Sequence, residues 1–182
     1  MEILEKTSNS RITLRLPNNL LESLKTDARK KDLSLNTLIS NVLSKSIIYC
    51  ETINLIPNVV IPFELLSVIM NEMNDSDIIT ISKEGPIVIR KLFDIMGLAY
   101  NIDNVIQNYF SLVSKYCNWF AFSYMQKGKK YRLVFSSGRD EQWIKFIQNY
   151  IKIILQSLKI NISDEYVHDG IIVFEFIYKE HI

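Results

Sequence analysis

The residues with the most suggestive chemistry stand two apart near the start of the chain. In Arg11-Ile-Thr-Leu-Arg15-Leu-Pro17, the polar residues Arg11, Thr13 and Arg15 alternate with Ile12, Leu14 and Leu16. Successive side chains of an extended segment fall on opposite faces, so one face is cationic and hydrogen-bonding and the other apolar. A guanidinium can give two parallel hydrogen bonds to guanine O6 and N7, and a threonine can bond a base edge or touch a thymine methyl. The polar face therefore has the chemistry of a base-edge reader. The apolar face needs cover, and the residues that follow, as far as Cys50, carry only helical periodicity. A two-stranded antiparallel ribbon made with a second copy of the chain is the expected solution.

Two short helices are expected to position that strand. Pro17 stops it, and Asn18 or Asn19 can cap a helix with Leu20, Leu21, Leu24 and Ala28 along one side and Lys25, Arg29, Lys30 and Lys31 mostly off it. A break at Lys31-Asp32-Leu33 leads to Ser34, a good N-cap. Behind it Leu35, Leu38, Ile39, Val42, Leu43 and Ile47 recur at helical spacing. The free N–H groups of a helix start form an anion site, and the lysines nearest the turn, Lys30 and Lys31, are candidate phosphate contacts. Ile12, Leu14, Leu16, Leu24, Leu38, Ile39 and Val42 are the expected dimer core. The competing interpretation is an edge strand whose basic residues only discourage aggregation, followed by a solvated helical hairpin.

From Ser10 to Glu51, a little under a quarter of its length, the chain resembles the ribbon-helix-helix family of DNA-binding repressors of the Arc and MetJ kind. The resemblance rests on R-I-T-L-R-L-P, the leucine-rich first helix, and L-S-L-N-T-L-I at the start of the second. It implies a β-ribbon in the major groove with Arg11, Thr13 and Arg15 reading bases. It also implies a phosphate held by the backbone amides of Ser34, Leu35 and Asn36. The family often has an acidic residue soon after the cap and a glycine in the turn, where this chain has Thr37 and Leu33.

With 182 residues, 48% of them hydrophobic, there is room for such a module at 1–53 and a domain of ordinary size at 54–182. The net charge of +1 conceals an asymmetry. Residues 1–50 hold 8 Lys or Arg against 5 Asp or Glu, leaving 13 against 15 for the remainder. The basic part is thus the part with the reading face, although +3 is a modest field for attracting phosphate. Pro57 and Pro62 bracket the expected boundary, joined by an apolar linker that should pack rather than swing.

The larger part reads as an α+β domain with an antiparallel sheet packed by helices. PFELLSVIMNEM from Pro62 is expected to be helical, Ile78 to Ile81 a strand, and Gly85 to Met96 a helix stopped by Gly97. Asp103 is expected to cap another helix. The strand pairs expected are Trp119–Met125 with Tyr131–Phe135, and Ile160–Ile162 with Ile171–Tyr178. Between the pairs, Ser137-Gly-Arg-Asp140 should open a long helix. This part is weakly similar to uncharacterised archaeal regulator tails, which implies a regulatory domain for oligomerisation or effector sensing.

Other chemistry is sparse. A metal sensor needs clustered imidazoles and thiolates, and the chain has only His168 and His181 with Cys50 and Cys117 at unrelated spacings. No P-loop, dinucleotide glycine motif, nucleophile elbow or zinc helix motif is present, so neither catalysis nor a cofactor is expected. Trp119, Phe120, Phe122, Tyr124, Phe135, Trp143 and Phe146 either form the core or line a pocket for a small-molecule effector. No apolar run approaches the length of a membrane span, and no signal peptide is recognisable, so a cytoplasmic protein of a bacterium or archaeon is expected. The expected function is a dimeric, sequence-specific regulator of transcription on double-stranded DNA, with repression the expected sense. Two alternatives remain. One is an antitoxin with a toxin-binding tail, against which the long apolar tail counts; the other is a dimeric interaction module that does not bind DNA.

Overall fold

A computed structural model describes residues 12–50, 55–56 and 59–178. The chain divides into two compact units, Met1–Ile48 and Tyr49–Ile182.

The expectation of an N-terminal ribbon-helix-helix is overturned. No strand precedes the helices among the described residues: Ile12 to Pro17 carry no ladder, and the first strand, Ala121–Lys127, follows six α-helices. The physical reason is that alternation of side chains specifies faces, whereas a strand also requires a partner for its N–H and C=O groups. Among the described residues of the first unit, none supplies one. Arg11 lies outside the described residues.

The first unit is a pair of packed helices, α1 (Asn18–Lys30) and α2 (Leu35–Ser44). Pro17 is the N-cap of α1 and neither Asn18 nor Asn19 takes that role; Asn19 instead accepts a bond from its neighbour Leu20 N at 2.9 Å. The helix ends in a Schellman motif. Asp32 adopts φ 52°, Leu33 N–H donates to Ala28 O at 2.9 Å and Asp32 N–H to Arg29 O at 3.2 Å. The left-handed position falls on an aspartate, which tolerates it better than most residues. α2 continues directly into a π-helical stretch, Lys45–Cys50.

The second unit begins with three helices. α3 (Phe63–Asn71) starts behind Pro62, α4 spans Asp75–Ser82, and α5 (Glu84–Met96) stops at Gly97 with φ 67°. The strand expected at Ile78 to Ile81 is therefore helix. Its isoleucines favour extended backbone, but Asn74 and Asp77 form a complete capping box, with Asp77 N–H to Asn74 Oδ1 at 3.2 Å and Asn74 N–H to Asp77 Oδ2 at 3.1 Å. That local anchor, with Ile78 fully buried, outweighs β propensity. α6 (Ile102–Val105) is capped by Asn101 rather than Asp103, and runs on into π-helical stretches at Ile106–Phe110 and Val113–Cys117.

Two hairpins and a helix complete the unit. β1 (Ala121–Lys127) pairs with β2 (Lys130–Ser136), and β3 (Ile162–His168) with β4 (Ile171–Ile177). β2 also pairs with β4, so the antiparallel order is β1-β2-β4-β3. The second hairpin thus starts at Ile162 rather than ending there. α7 (Glu141–Ser157) joins the hairpins and is capped by Asp140, whose Oδ1 accepts Trp143 N–H at 2.9 Å. Ser137, expected as the cap, instead gives its backbone N–H to Gly170 O.

The register separates the sheet's faces. Tyr131, Leu133 and Phe135 of β2 and Ile172, Phe174 and Phe176 of β4 are buried, together with the α7 stripe Phe146, Ile147, Tyr150, Ile151 and Ile154. Burial of so many large side chains, each contributing about 1.5–3 kcal/mol, makes this the stable core of the chain. No helix among the described residues is long and apolar enough to cross a membrane.

Candidate nucleic-acid interface

The first unit holds the sequence-derived site residues, and its geometry separates them into groups. Thr13 and Arg15 are exposed on the extended segment before α1, as are Ile12 (78%) and Leu14 (49%); Leu16 is half-buried. Among the described residues, no ion pair or side-chain hydrogen bond engages Thr13 or Arg15.

The start of α2 is built as expected. Ser34 Oγ accepts Thr37 N–H at 3.0 Å, and the two hydroxyls lie 2.7 Å apart. Thr37 closes half of a capping box without adding negative charge. The N–H groups of Leu35 and Asn36 are left without an acceptor among the described residues, pointing from the positive end of the helix dipole. Such a terminus suits an anion better than one already neutralised by an acidic first turn.

The cations around it are unequal. Arg29 and Lys30, in the last turn of α1, make no ion pair among the described residues. Lys31 is held by Asp27 at 2.8 Å, and Lys25 by Glu22 at 2.9 Å. That lysine holds the Glu22 carboxyl below its ordinary value through a hydrogen bond and its charge. Lys31 is therefore the weaker phosphate candidate of the expected pair; Arg29 makes no close ion pair among the described residues, although its charge also helps to lower the Glu22 carboxyl.

The expected dimer core is divided as well. Leu38 is buried within the unit, Leu24 and Ile39 are half-buried, and Val42 is 51% exposed. Ala28 and Leu38 are the buried apolar residues of the first unit's described part, while Leu20, Leu33, Leu43 and Ile47 join Ile12, Leu14 and Val42 in facing solvent. A helix pair with so little interior is too small to be stable by itself.

Among the described residues no three His, Cys, Asp or Glu side chains gather as a metal site; His168 lies in β3 beside Asp169, at 3.2 Å. Of the aromatics named as either core or pocket, Phe120, Phe135, Trp143 and Phe146 are buried and Tyr124 is exposed on β1. Compared with known proteins, the chain matches no family model, no curated protein and no solved structure.

Proposed function

We propose that the chain is a sequence-specific DNA-binding regulator that acts as a homodimer through its first unit, the second unit serving regulation or further association. The observation that carries this reading is the pairing, in one small unit, of an unusable amount of exposed apolar surface with an uncommitted set of anion-binding groups. Ile12, Leu14, Val42 and Leu43 call for a second copy. Arg15, Arg29, Lys30 and the Leu35 and Asn36 amides call for phosphate and base edges. In a dimer every such group occurs twice, so contacts that are weak singly become additive across two half-sites. No paired β-ribbon is part of the proposal: Thr13 and Arg15 act from the extended segment in which they stand.

A second reading has its own support. The ion pairs Lys25–Glu22 and Lys31–Asp27 consume part of an already modest positive charge, as expected of a dimerisation module that does not touch DNA. Fluorescence anisotropy of the full chain on selected and scrambled duplexes, at two salt concentrations, separates the two. The regulator reading expects selective binding, with Arg15→Ala losing about 1–3 kcal/mol on the selected duplex only. Lys30→Ala should weaken both duplexes alike and flatten the salt dependence. Absence of selective binding, with Val42→Glu still converting dimer to monomer in sedimentation, would establish the second reading instead.

A further inference from the structure

The helix α7 and its neighbours cover one face of the second unit's sheet, and the other face is open. The register fixes what stands on it. Met125, Arg132, Glu175 and Asp164 form one row across β1, β2, β4 and β3, and Val134, Val173 and Tyr166 lie in the next row along. Met125 is 67% exposed and Tyr166 56%, so the face is apolar as well as charged. Its charge is divided by strand. Lys127, Lys130 and Arg132 stand on β1 and β2, and Glu175 and Asp164 on β4 and β3. Glu175 takes both Lys130 Nζ at 2.9 Å and Arg132 Nη1 at 3.3 Å, so two cations share a single carboxylate. Asp164 makes no ion pair among the described residues, although it lines the same shallow hollow as Arg132 and Tyr166. Cations are in surplus on one half of the face and a carboxylate is left over on the other.

We propose that this face is a docking surface for a second copy of the chain, packed sheet on sheet about a two-fold axis that runs along the strands. Such an axis inverts the strand order between copies, setting β1 over β3 and β2 over β4, and keeps each row level with itself. Arg132 then faces Glu175 of the second copy, Met125 faces Asp164, and Val134 faces Val173, each contact occurring twice. The twist of each sheet turns the copies by about 30°, which displaces the edge strands but leaves the central ones opposed. An axis across the strands would instead set the cationic strands over themselves, a like-charge juxtaposition that disfavours association. The charge pattern therefore selects both the partner and its orientation. A single-stranded nucleic acid fits less well, because the carboxylates of Glu175 and Asp164 lie along the path of its backbone. Four strands about 4.8 Å apart, with seven residues of about 3.3 Å each, make a face of roughly 20 by 23 Å, at the small end of specific interfaces. The association is accordingly weak and belongs to concentrated protein.

Sedimentation of the full chain carrying Val42→Glu is the test, since that change removes the association assigned to the first unit. This chain should be monomeric when dilute and dimeric in the high-micromolar range. Adding Arg132→Glu or Glu175→Arg should weaken the dimer by roughly tenfold or more, with circular dichroism unchanged. An equimolar mixture of those two variants should dimerise again, because each copy then offers the other the charge it faces. Within each chain nothing changes on mixing, so a merely structural role for the pair gives no recovery. Met125→Lys, at an exposed position, should tighten the dimer through Asp164 and does not depend on how the charge-reversed chains fold. The proposal fails if no concentration-dependent dimer forms, if mixing does not restore it, or if Met125→Lys weakens it. It fails too if Glu175→Arg leaves the mass unchanged and instead raises affinity for a single-stranded oligonucleotide.

Discussion

Gly85 is a position where two well-known effects of one substitution oppose each other, and the structure decides which wins. It lies in the first turn of α5, where alanine would ordinarily stabilise the helix by about 0.5–1 kcal/mol. A Cβ at this site, however, would lie 2.5 Å from Cε2 of Tyr150 and 3.0 Å from its Cδ2 and Cζ. That is about 0.9 Å short of ordinary carbon–carbon contact, so the ring or the helix must move. The ring is not free to do so. Tyr150 is buried, its hydroxyl bonds that of Tyr109, and its face is packed by Trp119 at 5.9 Å and Phe146 at 5.4 Å. Overpacking of this kind costs about 1–3 kcal/mol. Gly85→Ala should therefore be net destabilising by about 1–2 kcal/mol, and the double variant with Tyr150→Leu should recover most of that difference as a coupling energy. Urea unfolding followed by tryptophan emission measures both. If Gly85→Ala is as stable as the parent or more so, or if the coupling is absent, the packing of α5 on α7 is not as described.

The second prediction concerns Asp32, which holds φ 52° in the turn between α1 and α2: Asp32→Gly should raise the thermal midpoint, by relieving about 1 kcal/mol of left-handed strain, whereas Asp32→Val should lower it. A third follows from the Ser34 cap. Ser34→Ala should cost about 1 kcal/mol of helix stability in thermal unfolding, and Ser34→Gly only a few tenths. The fourth is a pH dependence. Burial pushes the phenol of Tyr109 up to about 12, partly offset by the Tyr150 hydroxyl; Tyr131 reaches about 12 through burial and the bond it donates to Asp103. Both stay neutral in the fold while the unfolded chain ionises near 10, so their contribution is complete below pH 10 and is lost as pH rises through 12. Absorbance at 295 nm should show late tyrosinate formation together with loss of tertiary circular dichroism; complete ionisation near pH 10 with the fold intact would contradict the burial.

The sheet and α7 were legible because their signals are local and redundant. Each hairpin carries its own turn, Lys127 to Lys130 and His168 to Ile171, between alternating apolar residues, and α7 carries an apolar stripe over four turns. The errors lie where two local rules compete. At Ile78 to Ile81, β-branched residues and a capping box point to different structures, and the box is decided by a hydrogen-bond geometry that composition does not reveal. At Ser137 and Asp140 the spacing satisfied one capping pattern and the backbone another, because Ser137 N–H is taken by the second hairpin at Gly170. A contact between segments far apart in the chain is the kind of information a local motif lacks.

The candidate site is the converse case, in which a local cap was legible and the architecture around it was not. The alternation of Thr13 and Arg15 with Leu14 and Leu16 is the same whether or not the backbone is paired, so it could not distinguish a strand from the unladdered segment observed, in which Thr13, Leu14 and Arg15 are all exposed. The Ser34 cap, by contrast, depends only on residues three apart, and it stands where spacing placed it. The proposed dimer does not need a ribbon. A unit whose buried apolar residues are Ala28 and Leu38, and whose exposed ones include Ile12, Leu14, Val42, Leu43 and Ile47, has its larger hydrophobic face outward. Apolar area turned to water at about 25 cal/mol per Å² is recovered only by cover, and a second identical unit supplies the same area at the same register. In the proposed dimer, Arg15, Arg29, Lys30 and the α2 amides would be presented in duplicate about a two-fold axis, the symmetry that a palindromic duplex shares.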